Sequence, residues 1–413
     1  MKDGDQYDVI VIGGGAAGMM AAGRAAENGK RVLLLEKNKN LGEKLKITGA
    51  GHCNITNAEE NIHLLLAKYG SAAKFLFSAF AQFGVADTFE FFQKRGLPLV
   101  VKENKRAFPK TESALDVFKV LEKYLKQGQV KILANSKVDK FVIKNSRIEK
   151  IIVGEKEFVA KNYILATGGK SHPETGSTGD GFVWLKNLGH KIIKPTPTVV
   201  PLAVKDNWVK QLAGVTLPNI KINFFVDSKK SLSLKGNVLL THFGLSGPLI
   251  LNAAGRVADF LQAGEVTATI DTFPDFDLGG LDKHITGIFD QNKNKTLKNA
   301  IKLITPKGTG NVILSLIKID PEIKINSLTK DQRKIIVNLL KALPVEITGL
   351  MGYNRAVISD GGVPLTEIEI KTMRSKLCNN LYIIGDLLHI SRPSGGYSLQ
   401  LCWTTGFIAG NSV

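Results

Sequence analysis

At 413 residues the chain is too long for one ordinary hydrophobic core, so two or three domains are expected. Its 44% hydrophobic and 22% charged residues fit a soluble globular protein, and no apolar run reaches the roughly 18–20 residues of a membrane span. The formal charge of +18 comes from scattered lysines with no basic stripe interleaved with aromatics, so nucleic acid is not the expected partner despite the basic balance.

The chain begins MKDGDQYDVIVIGGG, with acidic residues ahead of an apolar run and no small-residue cleavage site. That reads as a buried first strand, not a signal peptide, and a cytoplasmic location is expected. Val9-Ile10-Val11-Ile12 has the continuous apolar pattern of a parallel strand covered on both faces. Gly13-Gly14-Gly15-Ala16-Ala17-Gly18 follows, then a small-residue helix from Ala16 to about Asn28, which Gly29 stops. Val32 to Leu35 is the second strand, and Glu36 ends it.

This G-x-G-x-x-G turn carries specific chemistry. Gly13 permits the tight turn, Gly15 lets the backbone approach a pyrophosphate, and Gly18 lets helix and strand pack closely. The phosphate charge then lies on free N–H groups at the helix N-terminus, in contact with Ala16 and Ala17. Glu36 is placed to accept bonds from ribose hydroxyls.

Further along, residues 62–95 repeat aromatic and aliphatic positions at helical spacing, and 130–166 read as a strand meander ending in Tyr163-Ile164-Leu165-Ala166. Pro195, Pro197 and Pro201 then mark a change of character. Residues 199–272 carry short alternating runs and read as β-rich, whereas about 275–343 is polar, lysine-rich and helical. Its clearest helix starts at a Thr329-x-x-Gln332 capping box, presents Ile335, Ile336, Leu339, Leu340 and Leu343 on one face, and stops at Pro344. Glycine turns and buried-strand patterns return after about 349, including Leu381 to Ile384 before Gly385-Asp386. The expected fold is α/β. A Rossmann-like dinucleotide-binding domain (residues 1–192 and 349–413; a central parallel sheet plus a β-meander) is interrupted by a β-rich insert over 193–274, the expected substrate domain, with a helical subdomain over 275–348.

The glycine turn alone does not separate NAD from FAD. Ala166-Thr167-Gly168-Gly169 and the late Gly385-Asp386, each after a buried strand, resemble the secondary motifs of two-dinucleotide-binding-domain flavoproteins. That likeness implies non-covalent FAD, with Asp386 on the ribityl chain. Gly42 to Asn57 (GEKLKITGAGHCNITN), Ser171 to Gly181 (SHPETGSTGDG), Thr241 to Pro248 (THFGLSGP), Gly361 to Val363, Thr372 to Lys376 and Gly395 to Gln400 (GGYSLQ) narrow it. Together they resemble the aminoacetone-oxidase-type family of FAD-binding oxidoreductases, also described as NAD(P)/FAD-dependent, some relatives of which are implicated in bile-acid reduction.

That resemblance covers essentially the whole chain and implies that Thr48, Gly49, Gly51, Cys53 and Asn54 lie along the flavin. Lys37, Lys44 and Val138 complete the expected cofactor neighbours. His52 stands where the family pattern has Arg, and is a candidate acid–base group or an ordinary loop histidine. Cys53 reads as a packing residue rather than a redox thiol. Gly395, Gly396, Tyr397 and Ser398 open a final helix whose N-terminal N–H groups would face the flavin. Ser398 replaces an expected Asn, and His389 and Arg392 replace an acidic stretch. His242 is either a structural histidine or a candidate catalytic residue facing a substrate cleft between domains.

The three cysteines, Cys53, Cys378 and Cys402, form no C-x-x-C pair, and no Cys/His cluster has ligand spacing, so neither a dithiol centre nor a metal site is expected. The function read from the sequence is hydride transfer between the flavin N5 and a small organic substrate or NAD(P)H, with oxygen, a quinone or a nicotinamide nucleotide such as NAD(P)H open as partner of the other half-reaction. An RNA-modifying flavoprotein and a non-catalytic flavin sensor stand as alternatives. Nothing in the sequence assigns an oligomeric state.

Overall fold

Strand β1 (Tyr7–Ile12) is buried along almost its whole length, as a central parallel strand must be. The computed structural model describes residues 6–413, so Asp3 and Asp5, read above as the acidic lead-in, lie outside it. From β1 the chain turns through Gly13–Gly15 into helix α1 (Ala16–Glu27) and returns as β2 (Val32–Leu35). Helix α2 (Ala114–Gln127) leads to β3 (Lys131–Leu133); β4 (Ala160–Leu165), β5 (Leu381–Ile383) and helix α3 (Tyr397–Ser412) complete the layer. The five strands form one parallel sheet in the order β5-β4-β1-β2-β3.

The composition of α1, AAGMMAAGRAAE, explains how its neighbours come so near. A Cβ on Gly406 of α3 would sit 2.5 Å from the Ala17 carbonyl oxygen, and one on Gly410 would sit 2.5 Å from that of Ala21. Gly23 of α1 likewise leaves room for the Tyr124 ring of α2. Glycine is needed at Gly406 and Gly410 because backbone meets backbone there, and at Gly23 because an aromatic ring takes the space of a side chain.

The meander is shorter than the sequence suggests. Only Lys140–Lys144, Arg147–Val153 and Lys156–Phe158 form the antiparallel three-stranded sheet. Lys131–Leu133 and Ala160–Leu165 belong to the parallel sheet, the second because Tyr163, Ile164 and Leu165 are wholly buried.

The chain divides into two units, one comprising the residues up to Pro197 with Tyr353–Val413, the other Thr198–Gly352. The second unit is built on a closed antiparallel barrel in the order Leu202–Val204, Gly244–Ser246, Lys229–Thr241, Thr216–Val226, Val266–Asp271, Leu343–Leu350. Closure leaves no strand edge unpaired. A 16-residue helix, Pro248–Ala263, lies within the stretch read as β-rich. Its signals were Pro at the first position and apolar residues at Ile250, Ala253, Ala254 and Val257, all buried.

The capping box forms as expected: Gln332 N–H donates to Thr329 Oγ1 (3.2 Å) and Thr329 N–H to Gln332 Oε1 (2.9 Å). The helix it starts ends at Lys341 and buries Ile336, Val337 and Leu340, while Ile335 is exposed. Leu343 and Pro344 start a barrel strand instead of closing the helix, because Ala342 takes an extended φ of −151°. Among the described residues no helix is long and apolar enough to cross a membrane.

Candidate functional site

The glycine turn after β1 separates two jobs. A Cβ on Gly13 (φ +106°) would lie 2.6 Å from the Ala166 carbonyl oxygen, and one on Gly18 would lie 1.9 Å from that of Gly13. Those two glycines are filled in by protein. At Gly15, which caps α1 with an ordinary φ of −80°, a Cβ would meet nothing within 4 Å. The turn therefore closes tightly on two sides and leaves open space in front of the helix N-terminus, where unpaired N–H groups and the helix dipole favour an anion.

That space belongs to a cavity in the first unit, with about 1230 Å³ of empty volume, part of it open to solvent. Glu36, in its wall, is buried, its Oε2 accepting from Gly14 N–H (2.7 Å) and its Oε1 from Asn38 N–H (2.8 Å). Each carboxylate oxygen keeps a lone pair for a ligand hydroxyl. Lys37 is tied to Asp180 (2.8 Å) and to Thr178 Oγ1 (2.6 Å) in the same wall. Val138, Ala166, Thr167 and Gly168 continue it, and the buried Thr167 hydroxyl has no hydrogen-bond partner. A wall that offers an open helix N-terminus and a carboxylate with spare lone pairs fits a dinucleotide with a pyrophosphate and sugar hydroxyls.

Charge gathers around Lys44 and Asp386. Lys44 lines the cavity with its Nζ 3.3 Å from Ser171 Oγ, and burial draws its pKa below the usual lysine value even though Asp386 lies near. Asp386 and Ser398 also line it, and Arg392 holds both from behind. Its Nη2 donates to Asp386 Oδ1, its Nε to Ser398 Oγ (3.0 Å) and its Nη1 to the Ile390 carbonyl (2.9 Å). Burial opposes the guanidinium charge, but the Asp386 carboxylate outweighs it and keeps the Arg392 pKa raised. Ser398 and Leu399 bring the first turn of α3 to the cavity, and Cys402 follows one turn later.

The HI0933-like protein Rossmann domain family matches residues 7–412. The chain belongs to that family. Its members are FAD-binding Rossmann oxidoreductases, and this one is a flavoprotein of that class. It is 29% identical over 407 residues to the 3-dehydro-bile acid delta(4,6)-reductase of Clostridium scindens, covering 98% of each chain. It is 27% identical over 406 residues to the ribosomal RNA dihydrouridine synthase of Escherichia coli, covering 98% of this chain and 97% of that one. In fold it is similar to a 3-ketosteroid-delta4-(5alpha)-dehydrogenase from Rhodococcus jostii, with a TM-score of 0.57 and 15% identity over 98% of this chain and 96% of that one.

In this HI0933-like chain the cavity gathers most of the expected cofactor neighbours: Gly13, Gly15, Ala16, Ala17, Glu36, Lys37, Lys44 and Thr48 from the N-terminal part, and Val138, Ala166, Thr167, Gly168, Asp386 and Ser398 from later segments. Gly18 and Gly169 are packing positions; a Cβ on Gly169 would lie 2.3 Å from Ser359 Oγ.

The segment read as lying along the flavin has a mixed placement. Only Thr48 of it reaches the cavity wall. Gly49 and Ala50 are left-handed in succession, and Gly51 and Cys53 are left-handed too; a Cβ on Gly51 would meet nothing within 4 Å. His52 ends up exposed, 3.4 Å from Glu112 Oε2. Cys53 is fully buried, and burial pushes its thiol pKa up to about 12, which makes it a packing residue. Asn54 is a structural clasp: with its amide oriented by its neighbours, it donates to the Ala107 and Thr56 carbonyls and accepts from Gly396 N–H (3.0 Å).

Gly395, Gly396 and Tyr397 also stand behind the wall. A Cβ on Gly396 (φ +100°) would lie 2.3 Å from the Thr56 carbonyl carbon, and the Tyr397 carbonyl accepts from Tyr69 Oη (2.8 Å). His389 faces Asp360 at 3.4 Å, partly exposed. His242 is exposed in the barrel turn after Thr241, edge-on to the Phe243 ring. Sequence reasoning missed Asn38, Ser136, Ser177, Asp180, Trp184 and Cys402 as wall residues. The SHPETGSTGDG motif pointed to Ser177 and Asp180; nothing local marked Trp184 or Cys402.

Proposed function

We propose that this chain is an FAD-dependent reductase of a carbon–carbon double bond conjugated to a carbonyl, with NAD(P)H as the electron donor. The observation that carries the cofactor half is the open space in front of Gly15, at the N-terminus of α1 and in line with Glu36. In this reading the α1 N-terminus and Gly15 hold the pyrophosphate, and Glu36 takes the ribose hydroxyls of the adenosine. Asp386, fixed by Arg392, accepts from ribityl hydroxyls, and the α3 N-terminus at Ser398 and Leu399 lies beside the ring. Bound FAD supplies the hydride exchange at its N5, while the chain supplies position, fixed charge and a wall that limits water.

The reaction half rests on what the two relatives' names have in common. A delta(4,6)-reductase of a 3-dehydro-bile acid and a dihydrouridine synthase both saturate a ring double bond conjugated to a carbonyl. The name of the Escherichia coli relative brings ribosomal RNA back as a candidate substrate, and the net charge of +18 is compatible with it without choosing it over a steroid. Amine oxidation, implied by the narrower aminoacetone-oxidase-type resemblance, is the competing reaction.

The test is anaerobic spectroscopy of the purified protein followed by three substrate arms. Yellow protein, or colourless protein reconstituted by FAD, whose flavin band bleaches with NADH or NADPH supports the cofactor and donor. Reoxidation by a 3-oxo-4,6-diene steroid or by unmodified ribosomal RNA then picks the substrate class; bleaching by an aminoketone in place of either would overturn the reductase reading. A protein that takes up no FAD overturns the whole proposal.

A further inference from the structure

We infer that Arg392 sets the charge of the cofactor cavity: by pairing with Asp386 behind the wall, it leaves the Lys44 ammonium as an uncompensated cation facing the negative charge of FAD. The inference rests on the FAD reading above and goes beyond it in assigning a role to a residue that does not touch the cavity.

Three full charges lie together here. Lys44 and Asp386 line the cavity; Arg392, with a side chain only 2% exposed, does not. Bonds from three different guanidinium nitrogens, to Asp386, Ser398 and the Ile390 carbonyl, fix its plane. A guanidinium this deeply buried is tolerable only when paired, so Asp386 is committed to it. Lys44 is left with a neutral neighbour, Ser171 Oγ at 3.3 Å. Glu174, the other nearby carboxylate, is half turned to solvent and bonded to His172 Nδ1 at 2.7 Å. The charge on these three side chains thus sums to +1 with Arg392 in place and to zero without it; Glu36, which lines the same cavity, is already held by the Gly14 and Asn38 N–H groups. The first turn of α3 adds a fraction of a positive charge on the same side.

An arrangement of this sign is costly unless an anion answers it, and burial already presses Lys44 toward its neutral form. FAD carries two candidate anions, its pyrophosphate and the N1–C2=O edge of the reduced ring. Both would be held by the same cation, and they are separable by measurement.

The test compares FAD-loaded wild type with Arg392→Gln, Arg392→Lys, Lys44→Met and the double variant Asp386→Asn/Arg392→Gln. FAD affinity is read by flavin fluorescence and midpoint potential by equilibration with a redox dye. Arg392→Gln and Lys44→Met each shift the reduced-to-oxidised ratio at least tenfold toward oxidised, about 30 mV for a two-electron couple, if the ring is the anion. Each weakens FAD binding at least tenfold with the potential unchanged if it is the pyrophosphate. Arg392→Lys stays near wild type. The double variant, whose charge sum returns to +1 and whose amide oxygen at position 386 still accepts from a ribityl hydroxyl, recovers at least half, on a logarithmic scale, of what Arg392→Gln loses, which a merely structural role for Arg392 would not produce. Should Arg392→Gln fail to fold, Lys44→Met against the double variant makes the same comparison.

The inference is overturned if wild type binds FAD while Lys44→Met and Arg392→Gln keep both quantities within twofold, or if the double variant recovers less than that half. Wild-type protein that binds no FAD overturns the cofactor reading itself, a separate outcome.

Discussion

At the scale of single residues, the glycine turn shows that equal-looking positions do unequal work. Gly13 and Gly18 leave no room for a Cβ, whereas Gly15 has open space and an ordinary φ. Gly15→Ala should therefore leave the thermal midpoint of ligand-free protein within a degree or two while weakening FAD by at least about tenfold, close to 1.4 kcal/mol. Gly18→Ala should lower both. Differential scanning fluorimetry with and without FAD separates the cases, and equal loss of ligand-free stability in the two variants would contradict the assignment. Cys53 makes a second prediction at this scale. With its pKa at about 12, the folded protein presents almost no thiolate at pH 8, and iodoacetamide should leave Cys53 unmodified until the chain is unfolded. The stability consequence has a definite sign. The folded thiol ionises near 12 and the unfolded one near 9.0, so its contribution is intact below pH 9 and is lost as pH rises from 9 toward 12. Rapid labelling of native Cys53 at pH 8 would refute its burial.

At the scale of elements, Gln400 shows how the sheet's last helix is locked to segments far away in sequence. Its Oε1 accepts from Thr56 Oγ1 (2.6 Å) and Thr88 Oγ1 (3.0 Å), and its Nε2 donates to the Gly84 carbonyl (3.2 Å) and Thr404 Oγ1 (3.1 Å). A wholly buried amide with all four bonds made is stabilising, but it strands its partners when removed. Gln400→Leu should cost about 3 kcal/mol and lower the urea midpoint with an unchanged m-value; a loss below about 0.5 kcal/mol would show that the network carries little. Gln400 was visible as the end of GGYSLQ, yet the sequence offered no partner for it. The elements themselves were more legible. The β1–turn–α1 unit and the capping box at Thr329 rest on contacts within a few residues. The stop of the helix at Lys341, before Leu343 rather than at Pro344, depends on barrel pairing of Leu343–Leu350, and that is long-range.

At the scale of the whole molecule, the charge of +18 makes the choice between substrate classes measurable. If ribosomal RNA is the substrate, its apparent affinity should fall steeply and log-linearly with salt, by roughly tenfold or more between 50 and 200 mM for several phosphate contacts. A small neutral enone would show almost no such slope. Turnover of both arms measured across that salt range checks it, and a salt-independent RNA reaction would argue against a phosphate-reading surface.

By itself the sequence determined the class of cofactor and the α/β fold around it, because a strand, a glycine turn, a helix and a carboxylate at the end of the next strand are specified by neighbours along the chain. It also marked Asp386 and Ser398 through motifs. Only the tertiary structure decided which of these residues reach the cavity. The left-handed coil from Gly49 to Cys53 turns His52 out to Glu112 and Cys53 into the core. Arg392, which the family pattern marked only as a departure, bonds Asp386 six residues before it and Ser398 six residues after it, a pairing that depends on its side chain being turned into the protein. Side-chain direction and the pairing of buried charges depend on what packs from elsewhere, and those are the features on which the chemistry of this site turns.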